Sequence, residues 1–491
     1  MKRKESLKIG LVGTGLAAII GLIALKGSSE LPSAQKEREV KPWNFVFILA
    51  DDMGWNQVGY LNSNFYETPN LDSLARSGIY FTNAYAAAPT CSPSRASILT
   101  GKYPARLHLT EYIPGDPYPW ARLQTPKMTD RLPLEEVTIA ELVKPAGYVT
   151  AMVGKWHLNS DKNYQPGRLG DAGSQGFDLD YPNDKPEDDA DPTKDAHHTV
   201  ENTEVALQFI EHNKDKPFLL YLAYHTPHRP IMEDPDLIYK YQIKLNSDLP
   251  TNNPIMGAMI ERMDTQIGRI LKKLDDLRLA SRTIVIFTSD NGGYDKLQAQ
   301  GPLRGGKSML YEGGIRVPLI IKWPGVVKPN SRCGVPVSGI DFFPTIAEIC
   351  GIKTLPRDID GVSLVAVLKQ QGTLKREALY WHYPHYHRFS YRPSGAIRMG
   401  RYKLIEWYER SLMKLDHQVS LFDLEEDIGE QHDLADKMPA KAKELLEKLR
   451  VWRQAVGAQE MVLNPNFDSK KALFWKEEVN PKHPNALGQY Y

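Results

Sequence analysis

Four short runs along the chain are apolar at nearly every position: 45–50 (FVFILA), 148–153 (YVTAMV), 218–224 (FLLYLAY) and 283–288 (TIVIFT). Rich in β-branched and aromatic residues, they predict strands covered on both faces, as in a parallel sheet. Helical periods fill the spaces between them. Thr68-Pro69 supplies an N-cap and first-turn pair, Leu71, Leu74 and Ala75 recur on one face, and Gly78 ends the helix. The longest periodic stretch runs from about 256 to 279, where Met256, Met259, Met263, Ile267, Ile270 and Leu274 form a stripe. Methionine at this spacing predicts core packing rather than a ligand site.

After Pro356 the pattern changes. From about residue 377 the chain reads as alternating strands, including AIRMGRYKLIEWY, before a helical stretch near 438–453 and a Pro-rich tail. These patterns predict an α/β fold: a large, mostly parallel sheet sandwiched by helices, then a smaller C-terminal antiparallel sheet plus helix.

Each of the four apolar runs ends in polar residues, reading DDMGW, GKWHL, HTPH and SDNGG. Asp51, Asp52, Lys155, His157, His225, Asp290 and Asn291 therefore gather beyond strand carboxyl ends, where open parallel sheets bind ligands. Asp51, Asp52, Asp290 and Asn291 offer only oxygen donors, and their carboxylates would repel one another without a cation. Such donors suit Ca2+, with Mg2+ the alternative, and argue against zinc. Histidines are commonly structural, but a position directly after an apolar strand favours function for His157 and His225. Lys307, flanked by Gly305, Gly306, Gly313 and Gly314, predicts backbone packed close to a ligand.

The amino terminus adds a compartment. MKRKESLK is basic, residues 9–25 carry no charge, and a polar stretch follows, which is the pattern of an export signal, with an uncleaved anchor as the alternative. Cys91 is the first cysteine after the apolar run, too distant for a lipoprotein signal. Gly13, Gly15 and Ala18 fit G-x-G-x-x-A but follow no strand, so a dinucleotide site is rejected. The net charge of +1 excludes a protein built to bind nucleic acid, and no membrane insertion is expected beyond the N-terminal signal or anchor. The acidic segment 178–195 reads as a solvated loop in preference to a second calcium loop. Cys333 and Cys350 could bridge in an exported protein or remain two buried thiols.

Residues 91–101 read CSPSRASILTG. Pro93 favours a helix start, which sets Cys91 at a helix N-terminus whose N–H groups and dipole favour an anion, with Arg95 one turn on. This is a nucleophile beside an oxyanion pocket. Three residues, rather than five, separate Cys91 from Arg95, which excludes a cysteine phosphate loop. C-S-P-S-R followed by LTG resembles the signature of the type I, formylglycine-dependent sulfatases of the alkaline phosphatase superfamily. The resemblance extends in order through DDMGW, TPNLDSLARSGIYFTNAYA, GKWHL, HTPH, SDNGG, GGKSMLYEGGIRVPLIIKWPG and LFDLEEDIGEQHDLA, over roughly 43–440.

The resemblance implies an alkaline phosphatase-like fold and a bacterial carbohydrate sulfatase, exported to the periplasm or secreted. It divides the chain into a signal peptide or anchor (1–28), a linker (29–42), a catalytic domain (43–370) and a C-terminal subdomain (371–491). Cys91 would be oxidised to formylglycine (3-oxoalanine) by a maturation enzyme and would join Asp51, Asp52, Asp290 and Asn291 at the metal. Arg95 and Lys155 would stabilise the ionised aldehyde hydrate, and Lys307 would bind a sulfate oxygen. His157 would act as base and His225 as acid, with His228 the alternative acid. Residues 380–394, YWHYPHYHRFSYRPS, crowd aromatic, His and Arg side chains, which gives His385, Arg388 and Arg392, with His228, as candidate sugar contacts. The bland alternative is that Trp381, Tyr383 and Tyr386 simply pack between the domains. Competing functions are phosphonate monoester or phosphodiester hydrolysis on the same scaffold, and non-catalytic binding of sulfated glycans.

Overall fold

The computed structural model describes residues 42–160, 167–387 and 391–471; the expected signal segment, nearly all of the linker, and Arg388 lie outside them. The large sheet comprises β1 (Asn44–Ala50), β2 (Ile79–Phe81), β3 (Val149–Gly154), β4 (Leu179–Pro182), β5 (Phe218–Ala223), β6 (Thr283–Ser289), β7 (Leu319–Lys322) and β8 (Ser331–Cys333). Their spatial order is β8-β2-β7-β6-β1-β5-β3-β4, and only β7 runs antiparallel to its neighbours. The four apolar runs are β1, β3, β5 and β6, which lie side by side at the centre of the sheet.

Residue alternation explains the layers. Phe45, Phe47 and Leu49 join the apolar cluster on one face of the sheet, while Val46, Ile48 and Ala50 join the other. With no polar face to offer water, β1 needs helices on both sides. Helices α1 (Pro69–Ser77), α3 (Thr199–His212) and α4 (Pro254–Asp276) bury their apolar stripes on the Val46 side. On the Phe45 side pack α2 (Cys91–Thr100) and α5 (Phe342–Ile349). Asn253 starts α4 by accepting from the N–H groups of Ile255 and Met256, and the six residues of its Met-rich stripe are buried.

The smaller sheet runs antiparallel in chain order: β9 (Ala378–Tyr383), β10 (Ser394–Met399), β11 (Tyr402–Trp407) and β12 (Val419–Asp423). Helix α6 (Pro439–Ala455) covers one face with Leu445 and Leu449, and its Trp452 stacks on Tyr380 at 4.9 Å. On the other face Trp381 and Tyr383 pack with Met309, Leu310 and Tyr311. Trp381, Tyr383 and Tyr386 are thus buried, the first two against residues from before 371, as packing between the expected domains requires. Cys333 and Cys350 are free thiols. Within 178–195, Asp178 accepts from Thr150 N–H at 2.9 Å and Asp195 caps α3 through Val200 and Glu201, so several carboxylates there serve local structure.

Candidate active site

The hydrogen-bond ladder of the central sheet continues past the strand ends. Asp290 N–H donates to Ala50 O at 3.1 Å, Lys155 N–H to Ala223 O at 2.8 Å, and Asp51 N–H to Thr226 O at 3.1 Å. Asp52 and His157 then take left-handed backbone, φ 61° and 54°, a strained state for residues with a Cβ. The site residues of DDMGW, GKWHL and SDNGG are therefore fixed by the sheet itself.

Helix α2 brings Cys91 to this edge. All ten of its residues are buried; Ala96, Ile98 and Leu99 join the core, and in the first turn Ser92 Oγ accepts from Ile113 N–H at 3.0 Å. Cys91 Sγ lies 3.6 Å from Asp51 Oδ1, 3.9 Å from Asp52 Oδ1 and 3.4 Å from Lys307 Nζ. Each carboxylate has its own cation. Lys155 Nζ donates to Asp51 Oδ2 at 2.6 Å, Lys307 Nζ to Asp52 Oδ2 at 2.7 Å, and Arg95 Nε to Asp290 Oδ2 at 2.9 Å. Arg95 also donates from Nη1 to Lys155 O at 2.9 Å, which ties two predicted residues to each other.

Burial would raise the Asp51 carboxyl, but Lys155, His228, Arg95 and Lys307 outweigh it and hold it well below the usual range. Burial pushes Asp290 up to about 6, with Arg95 opposing. Burial, then Asp290, pushes the Cys91 thiol far above its ordinary value, so as a thiol it stays protonated and a weak nucleophile.

Ligand atoms of Asp51, Asp52, Cys91 and His228 lie within 4.8 Å of one another. Asn291 Nδ2 donates to Asp52 Oδ1 at 2.7 Å, while its buried Oδ1 has no hydrogen-bond partner. An orphaned amide oxygen beside three carboxylates fits a hard divalent cation.

Three histidines border this cluster, each with one ring nitrogen set by an oxygen acceptor. His157 Nε2 donates to Ile113 O at 2.8 Å, His225 Nε2 to Asn183 O at 2.9 Å, and His228 Nδ1 to Arg229 O at 2.6 Å. A carbonyl oxygen only accepts, which assigns the proton to those nitrogens and frees the other. The freed Nδ1 atoms of His157 and His225 are buried without partners, and His228 Nε2 stands 3.6 Å from Asp52 Oδ2. Burial, then Lys155 for His157 and His225 and Lys307 for His228, holds all three well below the ordinary histidine range.

A cleft of about 450 Å³ opens over Asp52, Cys91, Lys155, His157, His225, His228 and Lys307. Its outer wall includes Tyr112, Asn183, Arg229, Tyr294 and His387, which come from loops. His385 and Arg392 do not line it: His385 Nε2 meets Thr110 Oγ1 at 2.7 Å, and Arg392 pairs with Glu409. His387, two residues beyond His385, lies against Tyr112 with ring centroids 5.8 Å apart. The glycines beside Lys307 pack backbone on backbone: a Cβ on Gly313 would meet Gly305 O at 2.2 Å and one on Gly314 would meet Gly306 O at 2.3 Å, and Lys307 N–H donates to Gly293 O at 2.8 Å.

The family profile described as Sulfatase matches residues 43–352. The chain belongs to the sulfatase family. A second profile, N-sulphoglucosamine sulphohydrolase, C-terminal, matches residues 306–455 of this sulfatase. It is 31% identical to a "Sulfatase" of Formosa agariphila, over 88% of this chain and 93% of that one. Identity to an N-acetylgalactosamine-6-O-sulfatase of Bacteroides thetaiotaomicron is 27%, over 88% and 98% of the two chains. A solved structure described as Ps i-CgsB in complex with k-i-k-neocarrahexaose superposes with a TM-score of 0.70, at 26% identity, covering 90% of the sulfatase and 98% of its own chain. The protein is thus an enzyme that hydrolyses sulfate esters.

Proposed function

We propose that this sulfatase is exported and removes sulfate from a glycan, with Cys91 converted to formylglycine and with calcium, or magnesium in its place, held by Asp51, Asp52, Asp290 and Asn291. The placement of Cys91 Sγ, 3.6 Å from Asp51 and 3.4 Å from Lys307 at the floor of the cleft, carries the reading. The glycan rests on the names of the relatives, an N-acetylgalactosamine-6-O-sulfatase and a protein bound to neocarrahexaose. Export rests on the basic and apolar N-terminus; among the described residues no helix is long and apolar enough to cross a membrane.

Hydrated formylglycine would supply the hydroxyl that attacks sulfur, and the cation would supply the charge that draws sulfate toward it. The chain's own residues do the rest. Lys155 and Lys307 present ammonium groups to the anionic sulfate, and the bond from Arg95 to Asp290 keeps that carboxylate in place. His157 Nδ1, freed by the bond from Nε2 to Ile113 O, takes the proton when sulfate is released from the enzyme. For the leaving oxygen, the geometry favours His228 over His225. His228 Nε2 belongs to the tight group around Cys91 and its side chain is 18% exposed, whereas His225 is 2% exposed and tied through Nε2 to Asn183. Negative charge on bound sulfate favours the protonated imidazole that donates.

Paired assays test the proposal. Sulfate should be released from sulfated mono- or disaccharides, with far slower turnover of phosphonate monoesters. The Cys91 peptide should be lighter than its unmodified mass, and Cys91→Ala should fall to background with folding retained. Full activity in that variant, or a preference for the phosphonate, overturns the reading.

A further inference from the structure

The turn that presents His228 is held from behind. His228 N–H closes the turn on His225 O at 2.8 Å, and Asp51 N–H reaches Thr226 O at 3.1 Å. Two further contacts come from the residues that open α3. His197 Nε2 lies 3.2 Å from His228 O, and Thr199 Oγ1 lies 2.9 Å from Thr226 Oγ1. Because a carbonyl only accepts, His197 Nε2 carries the hydrogen. His197 is 5% exposed and does not line the cleft, so it has no route to the substrate. The helix start that carries it is itself rigid, with Asp195 accepting from the N–H groups of Val200 and Glu201. The His228 ring is oriented through Nδ1–H on Arg229 O at 2.6 Å, so a shift in the backbone of this turn would swing Nε2 away from the Cys91 cluster.

We infer that His197 is a positioning residue for the ester-cleaving step, clamping the His228 carbonyl and thereby aiming His228 Nε2 at the leaving oxygen. The inference rests on the assignment of His228 as proton donor made above. In that step sulfur gains a bond to the ionised hydroxyl at residue 91 as its bond to the ester oxygen breaks; the electron pair goes to that oxygen, which takes the proton Nε2 carries in the imidazolium, and His228 is left neutral with Nδ1–H on Arg229 O. A general acid matters more as the leaving group worsens, so its mispositioning has a signature that a loss of folding does not.

The experiment compares a sulfate ester of a sugar hydroxyl with 4-nitrophenyl sulfate, whose leaving group needs little protonation. His228→Ala should lower kcat on the sugar ester by about 10²–10⁴-fold and on the aryl ester far less. His197→Leu should show the same selectivity in weaker form, about 10–100-fold on the sugar ester and within about threefold on the aryl ester, with KM and metal content unchanged. His197→Gln, which can keep a donor near the Nε2 position, should recover most of the loss. Adding His197→Leu to His228→Ala should cause no further loss on either ester. If the leucine variant does not fold, His197→Asn, whose amide falls short of the carbonyl, must show the selective loss instead. Equal losses on both esters, additivity in the double variant, or wild-type rates overturn the positioning role while His228→Ala remains selective. A His228→Ala variant without selectivity overturns the donor assignment and the inference with it.

Discussion

Lys307 and Asp52 form a pair that reaches Cys91: Lys307 Nζ stands 2.7 Å from Asp52 Oδ2 and 3.4 Å from Cys91 Sγ. Burial would lower the ammonium's affinity for its proton, but Asp52, with Cys91 and Asp51 behind it, outweighs burial and keeps Lys307 charged. Lys307→Ala removes that charge and leaves Asp52 without its direct ammonium partner. We expect kcat/KM on 4-nitrophenyl sulfate to fall by about 10²–10³-fold, the scale seen when one oriented donor is removed from a reacting anion. Lys307→Arg should not restore it, because the planar fork cannot occupy the space of a compact ammonium.

Metal removal should act on turnover and on folding together. Chelation should abolish activity, and added calcium or magnesium should restore it. At a cation concentration about 100 times its dissociation constant, linkage adds about 2.7 kcal/mol of stability, read as a rise in Tm. A chelated enzyme with full turnover and an unchanged Tm would remove the four-oxygen site.

Glu111 carries a pH prediction. Its buried carboxyl accepts from Tyr112 N–H at 2.7 Å and from Tyr383 OH, and burial pushes it up to about 8. The folded state therefore holds a proton that the unfolded chain gives up near its usual carboxyl pKa. That contribution is complete below the unfolded value and is lost as pH rises through about 8. Glu111→Gln should flatten the fall of Tm between pH 5 and 9, and the wild-type excess slope should not exceed about 1.4 kcal/mol per pH unit. Parallel profiles for the two proteins would reject a protonated Glu111.

His387 and His385 should separate cleanly. His387→Ala opens the cleft wall beside Tyr112 and should raise KM on a glycan fragment severalfold, leaving a small aryl sulfate near wild type. His385→Ala removes the partner of Thr110 Oγ1 and should lower stability by about 1–3 kcal/mol without selective loss on the glycan. The reverse pattern would move the sugar contact back to His385.

A last prediction concerns a buried ionic knot. Lys403 Nζ lies 3.0 Å from Glu312 Oε1 and 2.9 Å from Glu430 Oε1, with all three side chains fully buried. It joins β11 of the smaller sheet to Glu312, beside Gly313 and Gly314. Lys403→Met removes the ammonium the two carboxylates share, leaving Glu430 the Glu312 N–H while Glu312 keeps Arg316 at 2.8 Å, and should lower stability by about 3–5 kcal/mol, measured by denaturant unfolding; a change below about 1 kcal/mol would mean that the knot is replaceable.

The legible parts of this site share one property: chemistry placed directly at the end of a strong period. FVFILA ends in DDMGW and TIVIFT in SDNGG, so a strand prediction and a ligand prediction coincide, and CSPSR opens a helix. Central parallel strands announce themselves because both faces are apolar. β2 and β8, three residues each, are too short for a period, and β7 gives no sign of its reversed direction. Tyr112, Asn183 and Tyr294 reach the cleft from irregular segments, where residue type alone carries no position. The 380–394 segment misled for a related reason. Its aromatic and basic residues name a chemistry, but strand alternation and the turn after β9 decide which reach the cleft, and the core claims Trp381 and Tyr383 while His387 lines the wall. Lys403, Glu312 and Glu430 are far apart in the chain, and nothing local marks charged residues as fully buried partners.

The continuation of the sheet's hydrogen bonds into Asp51, Lys155 and Asp290 has a kinetic consequence. The amides of these residues belong to the same ladder as β1, β5 and β6, so solvent deuterium should enter them only when the central strands separate, among the slowest positions in the molecule. The floor of the cleft then has no opening mode of its own. Any breathing that admits or releases a sugar must take place in the outer loops, and the energy needed to misalign the floor approaches the energy needed to unfold the protein.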